Sequence, residues 1–203
     1  MSKISITPSA SGTGVFTIAS PATNTDRTLT LPDEAGTVLT SAGVPSSAMP
    51  AGSVLQVIQT TITAGFSTTS GSAVDITGLT ATITPSSSAN KILVITNFFA
   101  NGDSSPYPKF LLKRNGTTVF IGDAVGSSTR QSAGMTTGGS TSGEIISVAT
   151  TYLDAPATIA AVTYQWQVST FSSRVVYVGR SSASADANGS SIPSTITLME
   201  VAA

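Results

Sequence analysis

The chain contains no histidine and no cysteine. A serine nucleophile activated through a Ser-His-Asp triad is therefore impossible, despite the many hydroxyls. The commonest general base and the commonest transition-metal ligand are missing too. Carboxylates remain. Glu144 and Glu200, or a pair of aspartates, could in principle act as the two carboxyl groups of a glycosidase. Such a pair needs a deep site and aromatic sugar platforms, and the chain has 1 Trp and 4 Tyr. These glutamates are expected to be edge and turn charges, and the protein is expected not to be an enzyme. Asp75, Asp103, Asp123, Asp154 and Asp186 fall near turns. A calcium site would need several oxygens converging on one point, and no D-x-[DN]-x-[DN]-G run occurs. These side chains are expected to close Asx turns. Gly138-Gly139 could cradle a phosphate only at a helix N-terminus, and no helical pattern accompanies it. No cofactor or metal is expected.

Binding chemistry is better represented than catalysis. Tyr107 stands between Pro106 and Pro108 in a polar loop, where a flat aromatic face could meet a ligand. Arg130, Gln131 and Asn188 lie in two other long loops and could offer directional hydrogen bonds to sugar hydroxyls or carboxylates. Tyr164 and Trp166 alternate with Gln165 and Gln167. That pattern places the two rings on one face of a strand, as sandwich core or subunit interface.

The elements that would hold these loops are strands. Lys91–Ala100, KILVITNFFA, is the strongest apolar run, and both of its alternating sets are apolar. It predicts a strand buried on both faces. Half-buried alternation predicts a strand over Ser53–Thr63, and shorter ones are expected at Val74–Ile76 and Thr80–Thr84 around Thr77-Gly78. Asn115-Gly116, between Lys109–Arg114 and Thr117–Gly122, is the strongest hairpin signal, because both residues tolerate positive φ. Further strands are expected at Glu144–Leu153, Thr158–Thr170, Arg174–Arg180 and Thr195–Val201. Asp123–Gly143 and Ser181–Ser194 read as long polar loops. In a sandwich such loops gather at the two ends, so two of the three long loops, Asn101–Pro108 included, are expected to share one end.

Composition sets the class. Only 9% of residues are charged, against roughly 25% in an ordinary soluble domain. Ser and Thr supply nearly a third of the chain. Little charge keeps copies apart, which favours a packed assembly over a lone monomer. The near-balanced charge gives no electrostatic case for nucleic acid, and no apolar run reaches the ~20 residues of a membrane span. Residues 1–43 carry short strand patterns at Gly14–Ala19, Arg27–Leu31 and Thr37–Thr40, with too few large apolar side chains to offset an ordering cost of about 1–2 kcal/mol per residue. They read as a small extended module that needs a partner. Residues 44–52, VPSSAMPAG, read as a linker, and 53–203 as the main body. The fold class expected is all-β: an antiparallel sandwich or jelly-roll-like head with a small N-terminal β module.

Two stretches carry a family resemblance. The N-terminal segment, with Gly12-Thr13-Gly14, Asn24, Arg27–Asp33 (RTLTLPD) and Gly36-Thr37-Val38-Leu39, resembles a module of bacteriophage tail fibres and related virion proteins. The body, with AGSVLQV at 51–57, GLTATITP at 78–85, NKILV at 90–94, LDAP at 153–156 and TITLMEVAA at 195–203, is similar to structural proteins of marine and cyanobacterial phages. The resemblance implies a homotrimeric virion appendage: a fibre or spike, or a capsid decoration without a receptor role. It implies partners among tail or capsid proteins, reached through Phe16, Ile18, Leu29, Leu31, Val38 and Leu39. It also implies a host-cell surface glycan as the ligand of the head. A surface-polysaccharide hydrolase is the contrasting alternative.

Overall fold

The computed structural model describes residues 10–15, 17, 22–26, 28, 44, 48–102, 107–135, 145–171, 173–182 and 189–203. The chain divides into two compact units, Met1–Leu39 and Thr40–Ala203. In the first, the described residues are exposed, and the Thr25 amide donates to the Thr23 hydroxyl at 3.2 Å. The strands expected at 14–19, 27–31 and 37–40 lie largely outside the described residues. So do all six of the apolar side chains expected to dock, Phe16, Ile18, Leu29, Leu31, Val38 and Leu39.

The second unit is all-β, with no α-helix among the described residues. Its strands in chain order are β1 (Val54–Ile62), β2 (Phe66–Thr68), β3 (Val74–Ile83), β4 (Lys91–Gly102), β5 (Lys109–Arg114), β6 (Thr117–Val119), β7 (Ala133–Gly134), β8 (Ile146–Asp154), β9 (Val162–Ser169), β10 (Val176–Val178) and β11 (Ser194–Val201). They form two antiparallel sheets. The first runs β1-β11-β4-β10-β2, with β8 on the other edge of β4. The second runs β3-β9-β5-β6, with β7 also on β5.

β4 organises the first sheet. β11 pairs with its first half and β10 with its last residues along one edge, while β8 pairs with Ile92–Ala100 along the other. Its even-numbered set, Ile92, Val94, Thr96, Phe98 and Ala100, is buried between the sheets. Leu93, Ile95 and Phe99 are only partly buried, on the sheet's outer side. The expectation of burial on both faces is thus corrected: one face meets the core, and on the other Leu93, Ile95 and Phe99 are only partly covered by the described residues.

The core is aromatic at its centre. Phe98 meets Phe110 edge-on, with ring centroids 4.9 Å apart, and tilts against Trp166 at 5.3 Å. Trp166 and Tyr164 are fully buried, as the alternation on β9 implies. Each must satisfy a polar atom there. The indole N–H donates to Thr96 Oγ1 at 3.1 Å, and the Tyr164 hydroxyl donates to Asp154 Oδ2 at 2.6 Å. Phe120 stacks on Tyr152 at 4.9 Å.

Three local expectations change. Thr77-Gly78 does not end a strand. β3 runs through it with a register shift between Asp75 and Thr80, and Gly78 takes a φ of 83°. The segment 123–143 contains a short strand, β7, which docks on β5. β2 is not anticipated by the sequence, since three residues show no period. The Asn115-Gly116 hairpin forms as expected, with φ of 47° and 83° at its two turn residues.

Candidate functional site

β4 spans the sandwich, and its two termini define two ends. At the end near Lys91 the chain enters the sandwich: the Gly52 amide donates to Ala202 O at 2.9 Å, and the Ala202 amide returns to Ser53 O at 2.9 Å. At the opposite end, beyond Gly102, lies an open cleft of about 540 Å³. That volume lies within the range of small-molecule sites.

The cleft is built on the start of β5. The segment between β6 and β7 returns to this strand through Ser132. Its amide donates to Phe110 O at 2.9 Å, and its hydroxyl accepts from the Leu112 amide at 2.9 Å and donates to Val119 O at 3.1 Å. This clamp carries Ser128, Thr129 and Gln131 over Lys109 and Gly134. Gly134 leaves the room required. A Cβ there would meet Gln131 Nε2 at 2.6 Å. The Lys109 ammonium donates to Thr129 Oγ1 at 3.0 Å, and no carboxylate pairs with it among the described residues. Tyr107 closes the other wall with a φ of 42°, a conformation that tyrosine adopts only at a cost. Its ring is about half exposed and meets Phe171 edge-on at 6.5 Å.

Of the four side chains expected to contact a ligand, Tyr107 and Gln131 line this one cleft. The first two long loops therefore share an end. Arg130 is exposed beside it, and its Nε donates to Gly122 O at 2.6 Å within its own loop. Asn188 lies outside the described residues. Gln131 Oε1 is buried with no hydrogen-bond partner among the described residues. Sequence reasoning missed Lys109, Thr129 and Phe171. An aromatic in the polar stretch STFSS, where the apolar alternation of β9 has ended, is the signal that could have pointed to Phe171, which is exposed at 60% in the fold. The cleft thus offers one aromatic face, one ammonium, an amide and two hydroxyls, with no acidic side chain among the described residues that line it. Such a surface suits a hydroxyl-rich or anionic ligand.

Asp154 and Glu200 depart from the turn and edge charges expected of them, whereas Asp123 is exposed in the segment after β6. Asp154 is buried, and it accepts from Arg114 Nη1 at 2.8 and 2.9 Å, from both Tyr152 and Tyr164 hydroxyls, and from the Ala155 amide. Burial and the hydrogen bond to Asp154 hold the Tyr164 phenol well above its ordinary range. Glu200 is buried too. Its Oε1 accepts from the Ser86 amide and hydroxyl and from Asn90 Nδ2, and its Oε2 accepts from Gln56 Nε2, all within 2.6–2.8 Å. Both carboxylates are therefore occupied as fold-closing acceptors. Asp75 accepts from Gln167 Nε2 across two strands, while Glu144, Asp103, Asp186 and Gly138-Gly139 lie outside the described residues.

Fold and site together define an antiparallel β-sandwich with a polar, aromatic-edged cleft at one end. No protein-family profile matches the chain, and no curated protein matches it.

Proposed function

We propose that this chain is a non-enzymatic structural protein of a bacteriophage virion. In this proposal it is a homotrimeric fibre or appendage that docks on tail or capsid proteins through residues 1–43 and presents the Tyr107–Gln131 cleft to host-surface glycan. The observation that carries it is positional. The cleft lies at the end of the sandwich opposite Gly52, where the chain enters. A body held at one end offers its other end to what approaches. The charge-poor composition and the resemblance of both chain segments to phage structural proteins support the particle as its location. Three weak clefts on one trimer would act through avidity, with no need for a single strong site.

The test is adsorption of particles carrying Tyr107→Ala with Arg130→Ala to host cells. A loss of about 1 kcal/mol of aromatic contact per site, compounded over three sites, is expected to lower adsorption by at least about tenfold. Unchanged adsorption, with the protein present at normal occupancy, would remove the receptor role and leave a decoration or stabilising protein.

A further inference from the structure

The two outer faces of the sandwich are chemically unlike. On the β3-β9-β5-β6 sheet the outward positions are mostly polar and paired with one another, Leu111 excepted. Thr82 meets Thr163 at 2.8 Å, Gln167 donates to Asp75, and the Lys113 ammonium donates to Thr118 Oγ1 at 2.6 Å. On the other sheet the register aligns Val57, Met199, Leu93 and Leu153 in one unbroken row across β1, β11, β4 and β8. Val54 and Val201 pair beside that row at one end, and Ile95 continues it along β4. These side chains point away from the core, because their strand neighbours Ile92, Val94 and Leu198 are buried in it. Val54, Val57 and Leu153 are each about half exposed. Lys91 is the one charged side chain among the outward positions of these four strands.

We infer that this outer face is the surface through which copies of this chain join. The inference rests on the homo-oligomeric reading above and names the surface that serves it. Strands at ~4.8 Å spacing, overlapping by roughly seven residues or more, give a face of roughly 19 by 25 Å. Its flat footprint is roughly 500 Å² before side-chain relief is counted, with the apolar row at its Lys91 end and the uncharged polar side chains of Gln59, Thr197, Thr151, Thr195 and Asn97 over much of the rest. That footprint is more than half of the ~800 Å² that each partner contributes to a stable interface. A second copy is the occupant that fits. The face is nearly uncharged, an apolar row beside hydroxyls and amides, so three such faces can meet around one axis without an unpaired charge, whereas a charged partner would find nothing to pair with but Lys91. The apolar row also lies toward the Lys91 end of β4, away from the cleft, so assembly through it leaves Tyr107 and Lys109 free.

The experiment uses the full chain. Val57→Lys with Leu153→Lys places two charges on the face at half-exposed positions. Sedimentation is expected to show the wild type as an oligomer and the double variant as a 20.4 kDa monomer with an unchanged circular dichroism spectrum. The absence of native cysteine allows a second measurement, which holds even if the charged variant fails to fold. The Leu153→Cys variant should react with a bulky maleimide at least about tenfold more slowly than the Thr118→Cys variant, whose thiol lies on the opposite face. It should lose that protection on dilution to monomer. An oligomer that survives both lysines, with the two thiol variants equally reactive, would overturn the surface assignment while leaving the oligomer standing. A monomeric wild type would overturn both. If the Leu153→Cys thiol were protected in that monomer, the face would be covered by the chain's own N-terminal segment.

Discussion

Glu200 brings a negative charge into one end of the sandwich without a cationic partner among the described residues. Burial pushes its pKa up, and the hydrogen bonds from Asn90, Gln56 and Ser86 more than reverse that, so the carboxyl ionises below its ordinary range. A carboxyl whose folded pKa is depressed adds stability above its unfolded pKa, and loses it as pH falls through the folded value. Melting temperature is therefore expected to decline as pH drops below about 4.5. Glu200→Gln should be less stable at neutral pH, because its amide N–H₂ would face donors, and should show a flatter acid limb. An acid limb as steep as that of the wild type would assign the pH dependence to other carboxyls. Nothing in the sequence marks this residue, since Ser86 and Asn90 lie 114 and 110 positions away. A lone glutamate near a strand end looks like a surface charge until the register brings its donors to it. The same holds for Asp154, whose partner Arg114 lies 40 positions distant.

At the scale of elements, legibility depends on length. The 12-residue β4 and the Asn115-Gly116 hairpin carry strong local signals, and both form. β2 and β7 have three and two residues, too few to show any period, and exist because β10 and β5 offer them an edge. β3 reads as two strands in the sequence because Thr77-Gly78 carries turn chemistry. In the fold, Gly78 instead makes a bulge that lets one strand pass beneath β1. Gly78→Ala should be costly on two counts. Its φ of 83° disfavours any side chain, and a Cβ would meet Ile62 Cγ2 at 2.8 Å. A loss of about 1–3 kcal/mol is expected, read as a fall of several degrees in melting temperature. An unchanged midpoint would mean that β1 yields without strain, and that the bulge does not fix the register of the two strands. The apolar alternation of β4 shows that both faces want cover. It cannot show that the described residues cover only one of them, because no local pattern specifies which layer a distant segment will supply.

For the sandwich, one polar outer face, one that carries an apolar row and two distinct ends make a directional body. The cleft is half visible in the sequence. Loop chemistry alone marks Tyr107 and Gln131 as contact candidates, while Lys109 and Thr129 join them only through the Ser132 clamp. The proposed virion role is met most directly by a cryo-electron microscopy reconstruction of the phage particle with this chain placed in the density. The account predicts copies in threes on the particle surface, with the apolar sheet faces turned to one another and the Tyr107 end outward. Particles that lack the chain, or copies whose cleft end is buried against the particle, would contradict it.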